Sequence, residues 1–364
     1  MRKNISQNKN SGVVCTAISK QKIKMRLLKK IAFPLLWLLS LLWGSGAWLH
    51  RFLYEKKIKK RHHIPIKSLC IGNLTVGGTG KTPHTIYFVN QALEEGKKVA
   101  ILSRGYGRKS KGFILANPQH TAFEIGDEPK LYVERWSANP EKVVVAVAEN
   151  RWVGVQQLLS QVPDIELLIL DDAFQHHRVV ADFYWLLSDY TRPFYTDSLL
   201  PLGLLREKRH QAKRADGVLI TKCPPDLSFD NKQKIRQAVS KYSKHQIPIL
   251  FSTYDYGEPL LFTKSTAINT VPLASKIILL TGIANAKPFY DYLSQRFEIV
   301  QHLDYQDHYQ FGEADLRRLE TLQKTYICPI FTTEKDAMRI KPLLCSTGLN
   351  ITLYFVPIQV RFLS

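Results

Sequence analysis

Cysteine is scarce in this chain of 364 residues: there are five, an odd number, and no CxxC pair among them. Cys15, Cys70, Cys223, Cys328 and Cys345 stand far apart. That argues against a disulfide framework or a zinc site and fits a reducing cytosol. Acid is scarce at one end only. Met1 to Arg61 holds 15 Lys/Arg against a single acid, Glu55, a net of +14 that leaves +6 of the total +20 for everything after it. A nucleic-acid-binding body needs its cations on the fold, interleaved with aromatics. Here they flank an apolar run, so the expected partner is an anionic membrane surface, with no nucleic acid and no obligate protein partner. Guanine-reading and transporter signatures are missing as well. Thr333-Glu334-Lys335-Asp336 has the wrong spacing for N-K-x-D, Thr221-Lys222-Cys223-Pro224 lacks the aspartate, and no LSGGQ-like string occurs. No internal repeat stands out. Hydrophobic residues at 45% and charged residues at 23% suit a globular chain, long enough for one large domain or two ordinary ones.

The apolar run is Ile31 to Leu49, without a charge, bearing Trp37, Trp43 and Trp48. A helix of ~19 residues reaches ~28 Å, just short of a ~30 Å hydrocarbon core. Lys29 and Lys30 precede it, and Arg51, Lys56, Lys57, Lys59 and Lys60 follow. An interfacial helix, a single span and a buried core helix all fit. Cations on both flanks favour the interfacial helix, because headgroups would hold both ends. No small-residue cleavage site follows, so a signal peptide is a poor reading. Residues 1–24 are polar and basic without periodicity, and Met25 stands just before the run. The expectation is a polar extension over 1–24, or a true start at Met25.

From Ile64 onward the pattern is strand, turn, helix, repeated. Ser68–Ile71, Lys98–Leu102, Lys142–Ala148, Glu166–Leu170, Phe183–Leu187 and Gly217–Thr221 are short apolar β runs, with helices at Pro83–Glu95 and Arg151–Leu159 between them. Buried runs alternating with helices imply a parallel, doubly wound sheet. Turn-rich Pro224–Asp230 reads as a linker, and strands at Ile249–Ser252 and Lys276–Leu280 with a helix from Lys287 read as a further unit. The expected fold is α/β: a P-loop NTPase-type parallel-sheet core over 62–225, a smaller α/β domain over 226–364, and a membrane-associated helix with its basic flank over 25–61.

Leu69–Pro83 reads LCIGNLTVGGTGKTP. Gly80-Lys81-Thr82 matches the end of the G-x-x-x-x-G-K-[ST] loop, while Thr75 stands where its first glycine belongs. Gly77 and Gly78 still let backbone N–H groups approach phosphate, and the helix that follows adds its N-terminal dipole. Thr75, Val76, Gly77, Gly78, Thr79, Gly80, Lys81 and Thr82 form the candidate nucleotide loop. Lys81 would neutralise β/γ-phosphate charge, and Thr82 would offer a hydroxyl to Mg²⁺. A glycine-rich turn with a chance Gly-Lys-Thr is the competing reading, and the flanking strand and helix decide against it. The second half of such a site is an acid at the end of a buried strand, which Glu166–Leu170 followed by Asp171 and Asp172 provides. Gln175 and His176 lie just beyond; Gln175 is placed to help position metal or water.

At Asp171–Val179, DDAFQHHRV, the sequence resembles the tetraacyldisaccharide 4'-kinase (lipid A 4'-kinase) family. Gly72–Pro83, Leu102–Arg108 (LSRGYGR), Gly126–Pro129 (GDEP), Leu199–Glu207 (LLPLGLLRE), Arg214–Asp216, Thr281–Asn285 (TGIAN), Asp307–Tyr309 (DHY) and Thr332–Ala337 (TTEKDA) are similar in the same order. The likeness runs from about Leu28 to near the end, with Ala173 standing where the family usually has glycine. The resemblance implies transfer of the ATP γ-phosphate to the 4'-hydroxyl of a tetraacylated glucosamine disaccharide 1-phosphate, a lipid A precursor. It also implies Mg²⁺ as cofactor and the cytoplasmic face of the bacterial inner membrane as the location. Asp127 becomes the catalytic carboxylate with His308 as its partner, the metal set becomes Thr82, Asp171, Asp172 and Gln175, and closure of the second domain is expected to bring His308 toward Asp127. Arg104, Tyr106 and Arg108, with His176 and Arg206, are the candidate substrate residues, since arginine forks match phosphate geometry. A helix N-cap for Asp127, a packed histidine for His308 and a solvated loop for Arg104–Arg108 stay open beside these roles. A membrane-bound GTPase or ATPase switch is the alternative function.

Overall fold

The structure is a computed structural model. It describes residues 10–262, 276–307 and 309–364, with side chains of the first helix described from residue 33 onward. Helix α1 (Asn10–Glu55) comes first. The elements of the first layer then follow in chain order: β1 (His62–His63), β2 (Ser68–Asn73), α2 (Lys81–Glu94), β3 (Val99–Ser103), β4 (Ile114–Ala116), α3 (Ala122–Ile125), α4 (Asp127–Arg135), β5 (Val143–Val147), α5 (Arg151–Gln161), β6 (Leu167–Asp171), β7 (Val179–Val180), β8 (Phe183–Asp189), β9 (Gly217–Thr221), α6 (Phe229–Ser240) and β10 (Ile249–Tyr256). After them come β11 (Leu260–Leu261), β12 (Lys276–Thr281), α7 (Lys287–Ser294), β13 (Glu298–Asp304), α8 (Glu313–Tyr326), β14 (Ile330–Thr333), α9 (Glu334–Thr347), β15 (Leu353–Val356) and β16 (Ile358–Phe362).

Nine strands form one sheet in the order β16-β10-β9-β8-β2-β6-β3-β5-β4. The seven from β10 to β5 are parallel, and β16 and β4 close the edges antiparallel. Alternate side chains of one strand leave by opposite faces. Ile101 joins Val89, Leu131 and Trp136 under α2 and α4, whereas Ala100 and Leu102 join Val155 and Leu158 under α5. Both faces are therefore covered, which is why these strands read as continuous apolar runs. A five-stranded sheet, β11-β15-β14-β12-β13, makes the second unit.

The expected boundary at 225/226 does not coincide with the sheets. Helix α6, strand β10 and the last strand β16 all belong with the first sheet, where β10 pairs with β9 and β16 with β10. The second unit thus runs from Leu260 to Val356, and the chain enters and leaves it side by side, Gly257 N–H donating to Pro357 O at 2.9 Å. Local pattern identifies a strand at Ile249 but carries no information about which sheet accepts it.

Among the described residues no helix is long and apolar enough to cross a membrane. Helix α1 touches the body along one stripe: Ser40 and Gly44 are buried, Leu36, Ala47 and Arg51 half-buried, at helical spacing. The Ser40 hydroxyl donates to Leu199 O (2.7 Å), and Trp43 Nε1 donates to Arg206 O (3.0 Å). A side chain at Gly44 would reach within 2.8 Å of Leu199. The remaining surface carries exposed Phe33, Leu35, Trp37, Leu38, Leu41, Leu42, Trp43 and Leu49.

Candidate active site

The phosphate loop joins β2 to α2 at the carboxyl end of the sheet. Gly77 and Gly80 have φ of 108° and 85°, which only glycine adopts without strain. The loop is cross-braced from three sides. Asn73 Nδ2 donates to Thr79 Oγ1 (2.7 Å), and Thr221 Oγ1 donates to Thr79 O (2.9 Å). Val76 N–H donates to Leu204 O (2.8 Å), while Thr75 pairs with Leu205. Lys222 donates to Gly78 O and, at 2.7 Å, to Asp189 Oδ2. Beneath the loop, His84 bridges Gly80 O (2.7 Å) and Ser252 Oγ (2.9 Å), and burial pushes its imidazole down to about 4. It is therefore neutral at physiological pH. The first turn of α2 leaves backbone N–H groups without intrahelical acceptors beside Lys81 and Thr82, the setting that receives an anion.

Strand β6, next to β2, ends at Asp171, and Asp172 turns the chain with φ 48°. The positive φ falls on Asp172 and not on Ala173, so alanine carries no backbone strain there. Gly72 is required for the approach: a Cβ on it would lie 2.6 Å from that of Phe174. Asp172 faces Lys81 (3.7 Å) and Arg206 (3.1 Å). Burial pushes its carboxyl up, but those two cations outweigh burial and hold it below its ordinary value. Arg206 also donates to Gln175 Oε1 (3.4 Å), and Gln175 donates to Asn73 O (2.8 Å). Asp171 is the opposite case. Burial, and then the neighbouring charge of Asp172, push it up to about 6. Its Oδ2 accepts from Tyr132 (3.3 Å), while its Oδ1 is buried with no hydrogen-bond partner. A buried, unpartnered carboxylate oxygen beside a second carboxylate has the chemistry that suits a divalent cation. His176 is driven down to about 3 by burial and by Arg151 and Arg104, so it is a neutral side chain at the rim.

Asp127 is the first residue of α4, whose N-cap Gly126 (φ 95°) packs on Gly105; a Cβ on Gly126 would lie 2.9 Å from the Gly105 Cα. The GDEP and LSRGYGR segments are thereby pressed together. Asp127 Oδ2 accepts two bonds from Arg339 of α9, at 3.0 and 2.7 Å. Its expected partner His308 lies outside the described residues. The same helix α4 carries Tyr132, so the Asp127 end and the Asp171 carboxylate are linked through one rigid element. Arg104 and Tyr106 are exposed, Tyr106 by 72%. The Arg108 guanidinium is turned inward onto Glu149 (2.6 Å) and Gly112 O (2.5 Å), where it braces the loop.

Tyr132, Arg151, Lys222, Asn73 and Arg339 were not singled out by sequence reasoning. Arg151 is buried beneath β6 and donates to Asp171 O at 3.3 Å. Its only local signal is its place right after the cap Asn150 of α5. Arg339 follows TTEKDA by one helical turn from Asp336, which it grips at 2.9 Å, so that spacing was available.

The sequence model of the tetraacyldisaccharide-1-P 4'-kinase family matches residues 32–364. Tetraacyldisaccharide 4'-kinase of Cytophaga hutchinsonii is 40% identical over 330 residues, 89% of this chain and 90% of that protein. The enzyme of the same name from Bacteroides thetaiotaomicron is 37% identical over 350 residues, 92% of this chain and 89% of that protein. The chain belongs to this family. It is a kinase, a phosphotransferase acting on a sugar hydroxyl, and the membrane-bound switch reading falls away. A crystal structure of LpxK from Aquifex aeolicus in complex with ATP shares the fold, with a TM-score of 0.67 at 24% identity over 92% of this chain and 95% of that one.

Proposed function

We propose that the chain transfers the γ-phosphoryl group of ATP to the 4'-hydroxyl of a tetraacylated glucosamine disaccharide 1-phosphate, a lipid A precursor, at the cytoplasmic face of the inner membrane. The observation that carries this reading is the unpartnered Asp171 Oδ1 beside Asp172 and Lys81 under a glycine-rich loop. Phosphoryl transfer needs charge neutralisation and alignment more than covalent help. Lys81 and the loop N–H groups receive the phosphates. Thr82 and Asp171 would hold Mg²⁺, with Asp172 and Gln175 supporting them; the ion would supply neutralisation of phosphate charge. A cleft of about 830 Å³ lined by Asn285, Lys287, Tyr290 and Asp304 gives room beside the loop for the rest of the nucleotide, Ala284 of its wall standing against Gly78.

A sugar hydroxyl is a poor nucleophile. Asp127 orients it and accepts its proton late in the transfer, with His308 tuning that carboxylate. Arg206, already bonded to Asp172, and His176 are assigned to binding the acceptor. Arg104 and Tyr106 are candidates for the substrate's 1-phosphate, and Arg108 keeps their loop in shape. The exposed Leu and Trp face of α1 suits acyl chains and headgroups.

The test is transfer from labelled ATP to the tetraacyl disaccharide 1-phosphate in detergent micelles, wild type beside Asp127→Ala. Labelled lipid from wild type and near-loss in the variant support the reading. Nucleotide hydrolysis without lipid labelling would overturn it.

A further inference from the structure

The contact between Asp127 and the second unit is built with more care than a bridge between surfaces requires. The Arg339 side chain is 6% exposed and that of Asp127 19%. Nε and Nη2 of Arg339 both donate to Asp127 Oδ2, at 3.0 and 2.7 Å, which fixes the carboxylate's rotamer. Its Nη1 donates backward, to Gly282 O and Asp336 Oδ1, each at 2.9 Å. Asp336 is fully buried and is itself held, accepting from Gly282 N–H (2.9 Å) and the Thr333 hydroxyl (2.7 Å). The guanidinium is thus anchored in the second unit and aimed at the first. Around it the α4–α9 seam has three further ion pairs: Glu128–Lys335 (3.0 Å), Glu134–Lys341 (2.5 Å) and Arg135–Glu334 (2.7 Å).

On the reading that Asp127 meets the sugar hydroxyl, we propose that Arg339 is a positioning residue for the transfer: it sets the Asp127 carboxylate from the second unit, so that the proton acceptor is aligned only while the units are docked. The seam has other carboxylates, Glu128 and Glu134, that would serve cohesion as well. Holding Asp127 with the buried arginine serves a transfer in which the proton leaves late and alignment governs the rate, because a small misplacement of a reacting group lowers turnover by up to ~10²-fold.

The experiment measures kcat, KM for Mg-ATP and melting temperature for Arg339→Ala, Arg339→Lys and Asp127→Ala in the micelle assay. Arg339→Ala should lower kcat by roughly 10- to 100-fold with KM for Mg-ATP within about twofold, as expected for a lost alignment. Added guanidinium at low millimolar concentration should restore part of the loss. Arg339→Lys keeps the charge without the fork and should fall in between; it carries the test if the alanine variant does not fold. A kcat within about twofold of wild type in both variants overturns the proposal. So does a loss that tracks melting temperature and is not restored by guanidinium. If Asp127→Ala retains wild-type kcat, the underlying reading of Asp127 fails. If it is inactive while the Arg339 variants are unimpaired, only the present inference fails.

Discussion

Asp171 and Asp172 are neighbours in sequence and opposites in chemistry. Asp172 meets two cations and stays ionised, whereas Asp171 is buried and pushed up to about 6 from an ordinary 3.8. A raised carboxyl pKa means that the fold prefers the protonated form. This group's contribution to stability is present below the ordinary value of 3.8 and is lost as pH rises through about 6. A cation bound there prefers the ionised form, so metal binding must release a proton below pH 6. At pH 5 only about a tenth of Asp171 is ionised, and the magnesium-dependent gain in ADP affinity should be roughly tenfold smaller than at pH 8. Calorimetric titration at the two pH values checks this; the terminal phosphate of ADP also titrates at about pH 6, so Asp171→Asn should shrink the difference in that gain to the part ADP itself supplies.

At the scale of elements, close approach of backbones decides the site. Strand β2 meets the turn after β6 at Gly72 and Phe174, so Gly72→Ala must push the turn away or strain β2. It should destabilise the protein by about 1–3 kcal/mol and reduce transfer, read by denaturant unfolding beside the kinase assay. Helix α1 makes a separate prediction, because its stripe and its exposed face have different duties. Replacing the exposed Leu35, Leu38 and Leu42 by serine leaves the contacts of Ser40 and Trp43 intact. Each leucine buried in lipid is worth ~1.5–3 kcal/mol. Partition onto anionic vesicles should therefore drop about a hundredfold or more, with an unchanged melting temperature, measured by flotation and calorimetry.

At the scale of the whole molecule, the units are threaded through one another. Because β10 and β16 complete the first sheet, a fragment of residues 62–225 leaves the edge of β9 unpaired and strips Val218 and Ile220 of the cover given by Val239 of α6 and Phe251 of β10. Such an edge is a template for aggregation. The fragment should be aggregated or molten, shown by loss of near-ultraviolet dichroism and by sedimentation. A fragment that gives a sharp unfolding transition would contradict this topology.

Much was legible from the chain alone, for local reasons. A glycine-rich turn between an apolar run and a helix, an acidic pair ending another such run, and an uncharged stretch between basic flanks each carry their chemistry within a few residues. The strands, the phosphate loop and the family likeness all follow from such signals. What only the tertiary structure decided is which distant pieces meet. It put β10 and β16 in the first sheet and turned Arg108 inward onto Glu149. It brought Tyr132 and Arg151 to Asp171, and Arg339 across more than two hundred residues to Asp127. Those pairings are set by the energy of burying charge and backbone at contacts far apart in sequence, and no window along the chain contains both partners.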